Sequence, residues 1–219
     1  MINKEKFRKN CIQRLKEFNR PNVYLLDKKV CNWLYFYIKK SRYRVVMLYI
    51  PLKIEINLSN LIKKLRMDGV MVLVPFMEGK SFRLVKYRLP IKLKKFGVKE
   101  PNISNNFYKR IDLAVVPIVG MDNSFRRVGF GKGFYDRFFM RSGDIIEQVF
   151  FVGRRSCVYP KIITDDYDVE GHLYITPKQV LNKKQLNRLK YSEFRLPIRR
   201  RYDRRDFNIY SNSYFRRVG

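Results

Sequence analysis

Four short apolar runs recur along this chain and constrain its fold more than any other feature. They are RVVMLYI (44–50), VMVLVP (70–75), DLAVVP (112–117) and EQVFFVG (147–153). Near-continuous apolar runs of this length are typical of strands that are buried on both faces, as in parallel sheets. We therefore predict an α/β fold in which a mainly parallel sheet is flanked by helices in three layers, as a single domain.

The segments between these runs have helical patterns. Asn3 is placed to cap a first helix, whose apolar residues recur every three to four positions until Pro21 ends it. A second helix is predicted over 22–40. A third is predicted to be capped by Ser59 and to continue to about Met67, before Gly69 ends it.

The second half of the chain carries weaker signals of the same kind. FRLVKY (82–87) alternates and predicts a half-exposed strand, and LYIT (173–176) predicts a short one. A helix is predicted to start near Phe134. Thr176 followed by Pro177 has the pattern of a helix start, with a cap residue and then proline at the first helical position.

The charge of the chain is strongly positive. It has 48 lysine and arginine residues against 19 aspartate and glutamate residues, a net charge of +29. Such an excess favours anionic partners: nucleotides, nucleic acid, anionic lipid or polyanionic metabolites. Genome-wide compositional bias produces the same excess, so charge alone does not choose among them. Because arginine becomes frequent from Leu181 onward, we divide the chain into an α/β domain (1–180) and a basic extension (181–219).

The cysteines, the first residues and the absence of long apolar windows indicate the cellular compartment. Cys11, Cys31 and Cys157 are odd in number and far apart, so we predict neither a metal site nor a disulfide framework. The first ten residues, MINKEKFRKN, have no apolar core of the signal-peptide type. No window approaches the roughly 18 apolar residues that a membrane span requires. We predict a cytoplasmic protein without membrane segments.

The stretch RVGFGKGFYDR (127–137) concentrates the chemistry. Alternate glycines before a helix let several backbone N–H groups point at one ligand, as in an anion-binding nest. Lys132 and Arg127 add positive charge, and phosphate fits such a setting. Asp136 then has a role beside bound phosphates, because Mg²⁺ prefers oxygen ligands.

This stretch matches neither of two well-known glycine-rich motifs. It is not the P-loop G-x-x-x-x-G-K-[ST], and it is not the dinucleotide fingerprint G-x-G-x-x-G. A bulged turn between a strand and a helix, with its charges solvated, would account for the same spacing. On spacing alone both interpretations stay open.

The full string resembles the signature of the 5-formyltetrahydrofolate cyclo-ligase family, R-[LV]-G-x-G-x-G-[YF]-Y-D-R after a core strand. Weaker landmarks follow the order of that family over roughly residues 2–178. They are Lys4 with Arg8, Glu55, Val74-Pro75, Gly97-Val98 with Glu100-Pro101, Asp122, and Tyr167-Asp168-Val169.

The resemblance implies an ATP- and Mg²⁺-dependent cyclisation of 5-formyltetrahydrofolate to 5,10-methenyltetrahydrofolate through a phosphorylated formyl group. It assigns residues to four roles: catalysis to Arg127 and Lys132; ATP binding to Lys4, Arg8, Arg127, Gly129, Gly131, Lys132, Gly133, Phe134 and Tyr135; folate binding to Ile50, Glu55 and Tyr135; and Mg²⁺ binding to Asp136 and Asp168.

Two departures keep other functions open. Tyr167 stands where the family usually has histidine, and His172 where it often has aspartate, so a homologue that binds nucleotide or folate without turnover is an alternative. The extension 181–219 interleaves arginine with tyrosine and phenylalanine, which is typical of RNA-binding segments. A solvated appendage explains it equally well. We also expect the basic surface to attract polyglutamylated folate.

Overall fold

A seven-stranded sheet forms the centre of the molecule in the computed structural model, which describes residues 3–17, 22–88, 92–93, 99–100 and 108–189. In chain order its elements are α1 (Lys4–Lys16), α2 (Val23–Lys40), β1 (Val45–Met47), α3 (Ser59–Met67), β2 (Met71–Glu78), β3 (Ser81–Lys86), β4 (Lys92–Leu93), β5 (Lys99–Glu100), β6 (Leu113–Pro117), β7 (Gly120–Asp122), β8 (Arg127–Val128), α4 (Phe134–Ser142), a 3₁₀ helix (Gly143–Ile145), β9 (Val149–Val152), β10 (Val158–Tyr159), β11 (Leu173–Ile175), β12 (Val180–Asn182) and α5 (Lys183–Leu189).

The strands of the large sheet are in the order β12-β11-β9-β6-β1-β2-β3. The five inner strands pair in parallel, and the two edge strands, β12 and β3, pair antiparallel with their neighbours. The mainly parallel sheet is therefore confirmed. The four apolar runs form β1, β2, β6 and β9. Strands β1, β6 and β9 are shorter than their runs, whereas β2 extends beyond its run into a hairpin with β3.

Helices cover both faces of this sheet. Consecutive residues of a strand point to opposite faces, and in β6 Val115 joins the core cluster that contains Leu34 of α2 and Ile62 of α3. Its neighbour Val116 joins a second cluster that contains Phe138 of α4. The predicted three-layer arrangement in a single domain is confirmed.

The first helix begins as predicted. Asn3 Oδ1 accepts a hydrogen bond from the backbone N–H of Lys6 at 2.8 Å, so the cap satisfies one of the unpaired donors of the first turn. The helix packs against a small three-stranded sheet of β10, β7 and β8.

The prediction that the cysteines form no disulfide is wrong. Cys11 of α1 and Cys157, just before β10, are disulfide-bonded, with their Cα atoms 6.2 Å apart. Spacing gave no signal because 146 positions separate the two residues, and only the packing of α1 on the small sheet brings them together. Cys31 is a buried free cysteine.

The predicted helix start at Thr176 is also wrong. Thr176 instead closes a turn between β11 and β12, where its Oγ1 accepts a hydrogen bond from the N–H of Gln179 at 3.2 Å. The helix α5 begins later, after Asn182, whose side chain and that of Gln185 bond reciprocally to each other's backbone N–H.

The folded part continues past residue 180. Leu181 of β12 and Leu186 of α5 are buried in the core cluster on the α4 side of the sheet. The division into 1–180 and 181–219 stays a prediction, since 190–219 lies outside the described residues. Within the described residues, no helix has the length and apolarity needed to cross a membrane.

Candidate active site

The glycine stretch lies between β8 and α4, where the sequence predicted a strand-to-helix turn. Gly131 has φ +93° and Gly133 has φ +63°, a left-handed conformation that other residues rarely adopt. Gly133 is the N-cap of α4, so this loop leads directly into a helix N-terminus. The first N–H groups of a helix have no intrahelical partners and carry partial positive charge, which favours an anion there.

Arg127 is the most buried cation of this loop. Its side chain is only 5% exposed, and its guanidinium lies 4.7 Å from the ring centre of Tyr135. A Cβ on Gly129 would fall 2.1 Å from Arg127 Nη2, so the glycine is what lets the guanidinium lie against the loop.

Arg127 and Asp136 face each other without closing a hydrogen bond. Arg127 Nη1 lies 3.7 Å from Asp136 Oδ1. Arg127 Nε and Nη1 and Asp136 Oδ1 are all buried, and none has a hydrogen-bond partner among the described residues. Leaving buried charged groups without such partners is costly, so the arrangement is typical of a site completed by a ligand. The open donors fit an anion, and the open carboxylate oxygen fits a cation.

The second predicted metal carboxylate is held elsewhere. Lys4 Nζ donates to Asp168 Oδ2 and, at 3.0 Å, to Asp165 Oδ2. Asp168 Oδ2 also accepts from the backbone N–H of Asp165 at 2.7 Å. Asp136 and Asp168 are therefore paired with different cations, and the described residues contain no group of three or more His, Cys, Asp or Glu side chains suited to a metal.

Lys4 is well fixed in this arrangement. Its ammonium group lies 5.4 Å from the ring of Tyr167, whose hydroxyl donates to Asp165 at 2.8 Å. Burial alone would lower the pKa of Lys4, but the hydrogen bonds to Asp168 and Asp165 outweigh it and raise that pKa. The sequence analysis assigned no role to Asp165, and only the fold shows its contact with Lys4.

Arg8 contacts the glycine loop directly. Its Nε donates to the carbonyl of Gly129 at 2.9 Å, and its Nη1 lies 3.5 Å from where a Cβ on Gly131 would be. Arg8 and Lys4 are four positions apart in α1 and therefore share a face of that helix. They nevertheless reach different partners, the loop and Asp168.

Lys132 is exposed at the tip of the loop, and Arg137 holds the backbone around it. Arg137 Nη2 donates to the carbonyl of Lys132 and its Nε to the carbonyl of Lys80, both at 2.5 Å. The loop is thereby tied to the β2–β3 hairpin. Sequence reasoning assigned no role to Arg137, although it is the last residue of the glycine stretch.

Glu55 approaches the same region from the segment after β1. Its Oε2 accepts a hydrogen bond from the N–H of Leu52 at 2.9 Å. Burial raises the pKa of Glu55 to about 7, against the opposing effects of the Leu52 hydrogen bond and the charges of Arg127 and Arg154. Burial and the charge of Glu55 also raise the pKa of Tyr135.

The predicted folate-binding side chains come from two sides of the sheet. Ile50 packs against the core cluster beneath α2 and α3. Tyr135 and Phe134 pack against the cluster beneath α4, where Tyr135 meets Phe82 edge-on with ring centres 5.0 Å apart. Glu55, Tyr135 and Arg127 nevertheless interact electrostatically, so these three side chains lie near one another.

Comparison with known proteins decides the family. A profile described as "5-formyltetrahydrofolate cyclo-ligase family" matches residues 1–170. This chain belongs to that family. The match covers α1, the glycine loop and the segments of Glu55 and Asp168.

Two proteins named as 5-formyltetrahydrofolate cyclo-ligases are similar in sequence. The 5-formyltetrahydrofolate cyclo-ligase of Mycoplasma genitalium is 27% identical over 142 residues, which are 63% of this chain and 77% of that protein. That of Haemophilus influenzae is 32% identical over 108 residues, which are 46% of this chain and 58% of that protein. The match therefore spans less than two thirds of the Haemophilus protein.

Solved structures share the fold. The 5,10-methenyltetrahydrofolate synthetase of Aquifex aeolicus superposes with a TM-score of 0.69 at 22% identity, over 92% of this chain and 97% of its own. The synthetase of Mycoplasma pneumoniae superposes with a TM-score of 0.59 at 21% identity, over 80% of this chain and 98% of its own. At these identities the likeness establishes the architecture.

This member of the cyclo-ligase family also has a groove outside the predicted site. The groove has a volume of about 310 Å³ and lies between α2 and α3, with Asp27, Cys31, Asn57 and Arg154 in its lining. None of the side chains that the sequence assigned to ATP, folate or Mg²⁺ lines it.

Proposed function

We propose that this chain catalyses the ATP-dependent cyclisation of 5-formyltetrahydrofolate to 5,10-methenyltetrahydrofolate, with Mg²⁺ bound at Asp136. One observation carries the proposal: Arg127 Nε and Nη1 and Asp136 Oδ1 are buried atoms at the glycine loop that leave two donors and one acceptor open. Membership of the cyclo-ligase family supports this choice of reaction.

The glycine loop is the proposed phosphate site. Gly129, Gly131 and Gly133 keep the backbone accessible, and the start of α4 adds the favourable dipole of a helix N-terminus. Arg127 directs Nε and Nη1 at the transferring phosphoryl group, and Lys132 supplies a mobile charge from the loop tip. Such groups stabilise the charge that develops during phosphoryl transfer.

The residues of α1 would complete the nucleotide site. Arg8 already lies over the loop through its hydrogen bond to Gly129. Lys4 is engaged by Asp165 and Asp168, so its proposed contact with ATP requires that a phosphate oxygen share or replace those carboxylates. Phe134 and Tyr135 flank the loop at the first turn of α4.

Asp136 fits a magnesium ion. Its Oδ1 is buried and has no hydrogen-bond partner among the described residues. Mg²⁺ is commonly held by one or two carboxylates together with substrate phosphates and water, so a single open carboxylate suffices. Bound there, Mg²⁺ would neutralise phosphate charge. Asp168 remains a proposed second ligand, although it is now paired with Lys4.

The folate would be held beside this site. As a carboxylate, Glu55 would accept hydrogen bonds from pterin N–H groups, and Tyr135, whose ring contacts Arg127, would offer an aromatic wall. Ile50 would contribute an apolar contact from the other side of the sheet. Bound in this way, the folate would present its formyl group to the open donors of Arg127.

The reaction then proceeds in two balanced steps. The formyl oxygen attacks the γ-phosphorus of ATP, the bond to ADP breaks, and an imidate phosphate forms. The folate N10 next attacks the activated formyl carbon and loses its proton, the carbon–oxygen bond breaks, and phosphate leaves. The protein contributes positioning and charge neutralisation, mainly through Arg127 and Lys132.

Absorbance of the methenyl product provides the test. We expect Lys132→Ala and Asp136→Asn to lower the turnover number by about 10²–10³-fold, which is the range for losing one stabilising group. Lys63→Ala, which removes an exposed lysine of α3, is the matched control and should retain full activity. Normal turnover in both site variants would refute the site.

Binding measurements made beside this assay separate the alternatives. Binding of an ATP analogue and folate by the wild type without turnover would identify a degenerate homologue. RNA retention that is lost on removing residues 190–219, which leaves β12 and α5 in place, with cyclisation absent, would favour the RNA-binding hypothesis. Cytoplasmic location and a preference for polyglutamylated folate stay predictions.

A further inference from the structure

A buried ion pair joins α2 to the end of β9. Asp27 is 4% exposed, and the side chain of Arg154 is 12% exposed. Arg154 Nε donates to Asp27 Oδ1 at 2.9 Å and its Nη2 donates to Asp27 Oδ2 at 2.7 Å. This two-pronged geometry is the strongest form of a carboxylate–arginine contact, and it fixes the orientation of both side chains.

Both members of the pair also hold the backbone of one intervening segment. Arg154 Nη1 donates to the carbonyl of Lys53 at 2.8 Å. Asp27 Oδ2 accepts from the N–H of Asn57 at 2.9 Å. The pair therefore holds both ends of the segment 53–57 by hydrogen bonds, and this segment is neither helix nor strand.

Glu55 is the middle residue of this segment. Its own hydrogen bonds are local: its N–H donates to the carbonyl of Leu52 at 3.0 Å, and its carboxylate accepts from the N–H of Leu52. Local contacts of this kind move with the segment, so they do not place it relative to the sheet. The long-range contacts of Asp27 and Arg154 do.

We propose that Asp27 and Arg154 are positioning residues that hold the 53–57 segment so that Glu55 faces the site at Arg127. The inference rests on the proposed function, in which Glu55 binds the pterin. Neither Asp27 nor Arg154 touches the substrate in this account. They act through the backbone at Lys53 and Asn57.

The charges around Glu55 provide a second readout. Its carboxyl group interacts electrostatically with Arg127 of β8 and Arg154 after β9. Burial raises the pKa values of Tyr135 of α4 and Tyr49 after β1, and the nearby charge of Glu55 raises them further. Arg127 and Arg154 both oppose the effect of burial on Glu55. Removing the charge of Arg154 should therefore move the acidic limb of the activity profile to higher pH.

Two variants of Arg154 separate the effect of its hydrogen bonds from the effect of its charge. Arg154→Lys keeps the charge but loses the fork, so we expect the KM for folate to rise about five- to tenfold, as for the loss of a charge-assisted hydrogen bond, with the KM for ATP unchanged within about twofold. Arg154→Gln should raise the folate KM similarly and also shift the acidic limb upward. Lys53→Gln is the control, because it alters charge on the same segment but leaves the carbonyl that Arg154 binds.

The outcomes are distinguishable. An unchanged folate KM in both Arg154 variants, a parallel rise in the KM for ATP, or the same change in Lys53→Gln would overturn the inference while leaving the proposed function intact. Absence of ATP-dependent turnover in the wild type would overturn the proposed function and this inference with it. If Arg154→Lys does not fold, Asp27→Asn carries the same test, since it keeps the shape of the pair while weakening its hydrogen bonds.

Discussion

Replacing Glu55 by glutamine should stabilise the protein while impairing folate binding. Burial raises the pKa of Glu55 from 4.5 to about 7, so the folded protein prefers the neutral acid. A group whose pKa is raised on folding stabilises the folded state fully at pH values below its pKa in the unfolded chain. That contribution is lost as the pH rises through its pKa in the folded protein. Wild-type stability should accordingly fall between about pH 4.5 and pH 7 on account of this group.

The size of the effect follows from the same numbers. A pKa moved from 4.5 to about 7 corresponds to about 3 kcal/mol at pH 8. Because the side chain is partly exposed, solvent reduces this to about 1–3 kcal/mol. Glutamine has the same shape and cannot ionise, and it can still accept the hydrogen bond from Leu52.

Urea unfolding of wild type and Glu55→Gln at pH 8 and pH 4 measures the prediction. The variant should be more stable by about 1–3 kcal/mol at pH 8 and nearly equal at pH 4, where both side chains are neutral. Other carboxylates titrate in both proteins and cancel in the difference. Equal differences at the two pH values, or a less stable variant at pH 8, would refute the reasoning. The folate KM should rise in the same variant, since an anionic acceptor is lost.

Three further perturbations have definite expected results. Gly129→Ala should lower the turnover number at least about tenfold with little change in melting temperature, because its Cβ would displace the flexible guanidinium of Arg127 and not the backbone; a normal rate would contradict this. Cys11→Ser with Cys157→Ser should lower the free energy of unfolding by about 2–4 kcal/mol, the usual contribution of a disulfide, and a reductant should destabilise the wild type alone. Asp122→Asn should lower the free energy of unfolding in denaturant by about 2–4 kcal/mol. The buried carboxylate accepts five hydrogen bonds from residues 124, 163 and 164, and an amide cannot accept them all. A loss below about 0.5 kcal/mol would contradict this and show that the network rearranges.

The parts of the fold that could be predicted from sequence depend on local patterns. Continuous apolar runs marked the parallel strands, because such strands are buried on both faces. The glycine stretch marked its own loop and the start of α4, because only glycine readily adopts the positive φ values seen at Gly131 and Gly133. Asn3 marked the start of α1 for a similar reason, since its side chain caps the first turn.

The parts that could not be predicted depend on contacts between distant positions. The disulfide joins residues 146 positions apart, and Asp27 and Arg154 are 127 positions apart. Neither pair has a spacing that a sequence displays. The prediction at Thr176 was wrong because a threonine hydroxyl that can cap a helix can equally cap a turn. The pairing of β12 with β11 favours the turn at this position.

The ratio of ADP released to methenyl product formed tests the central claim most directly. The account predicts one ADP for each 5,10-methenyltetrahydrofolate, no product when ATP is omitted, and no ADP release without 5-formyltetrahydrofolate. Product formed without ATP, or ADP released with no dependence on the folate, would contradict a phosphorylated formyl group held at Arg127 and Asp136.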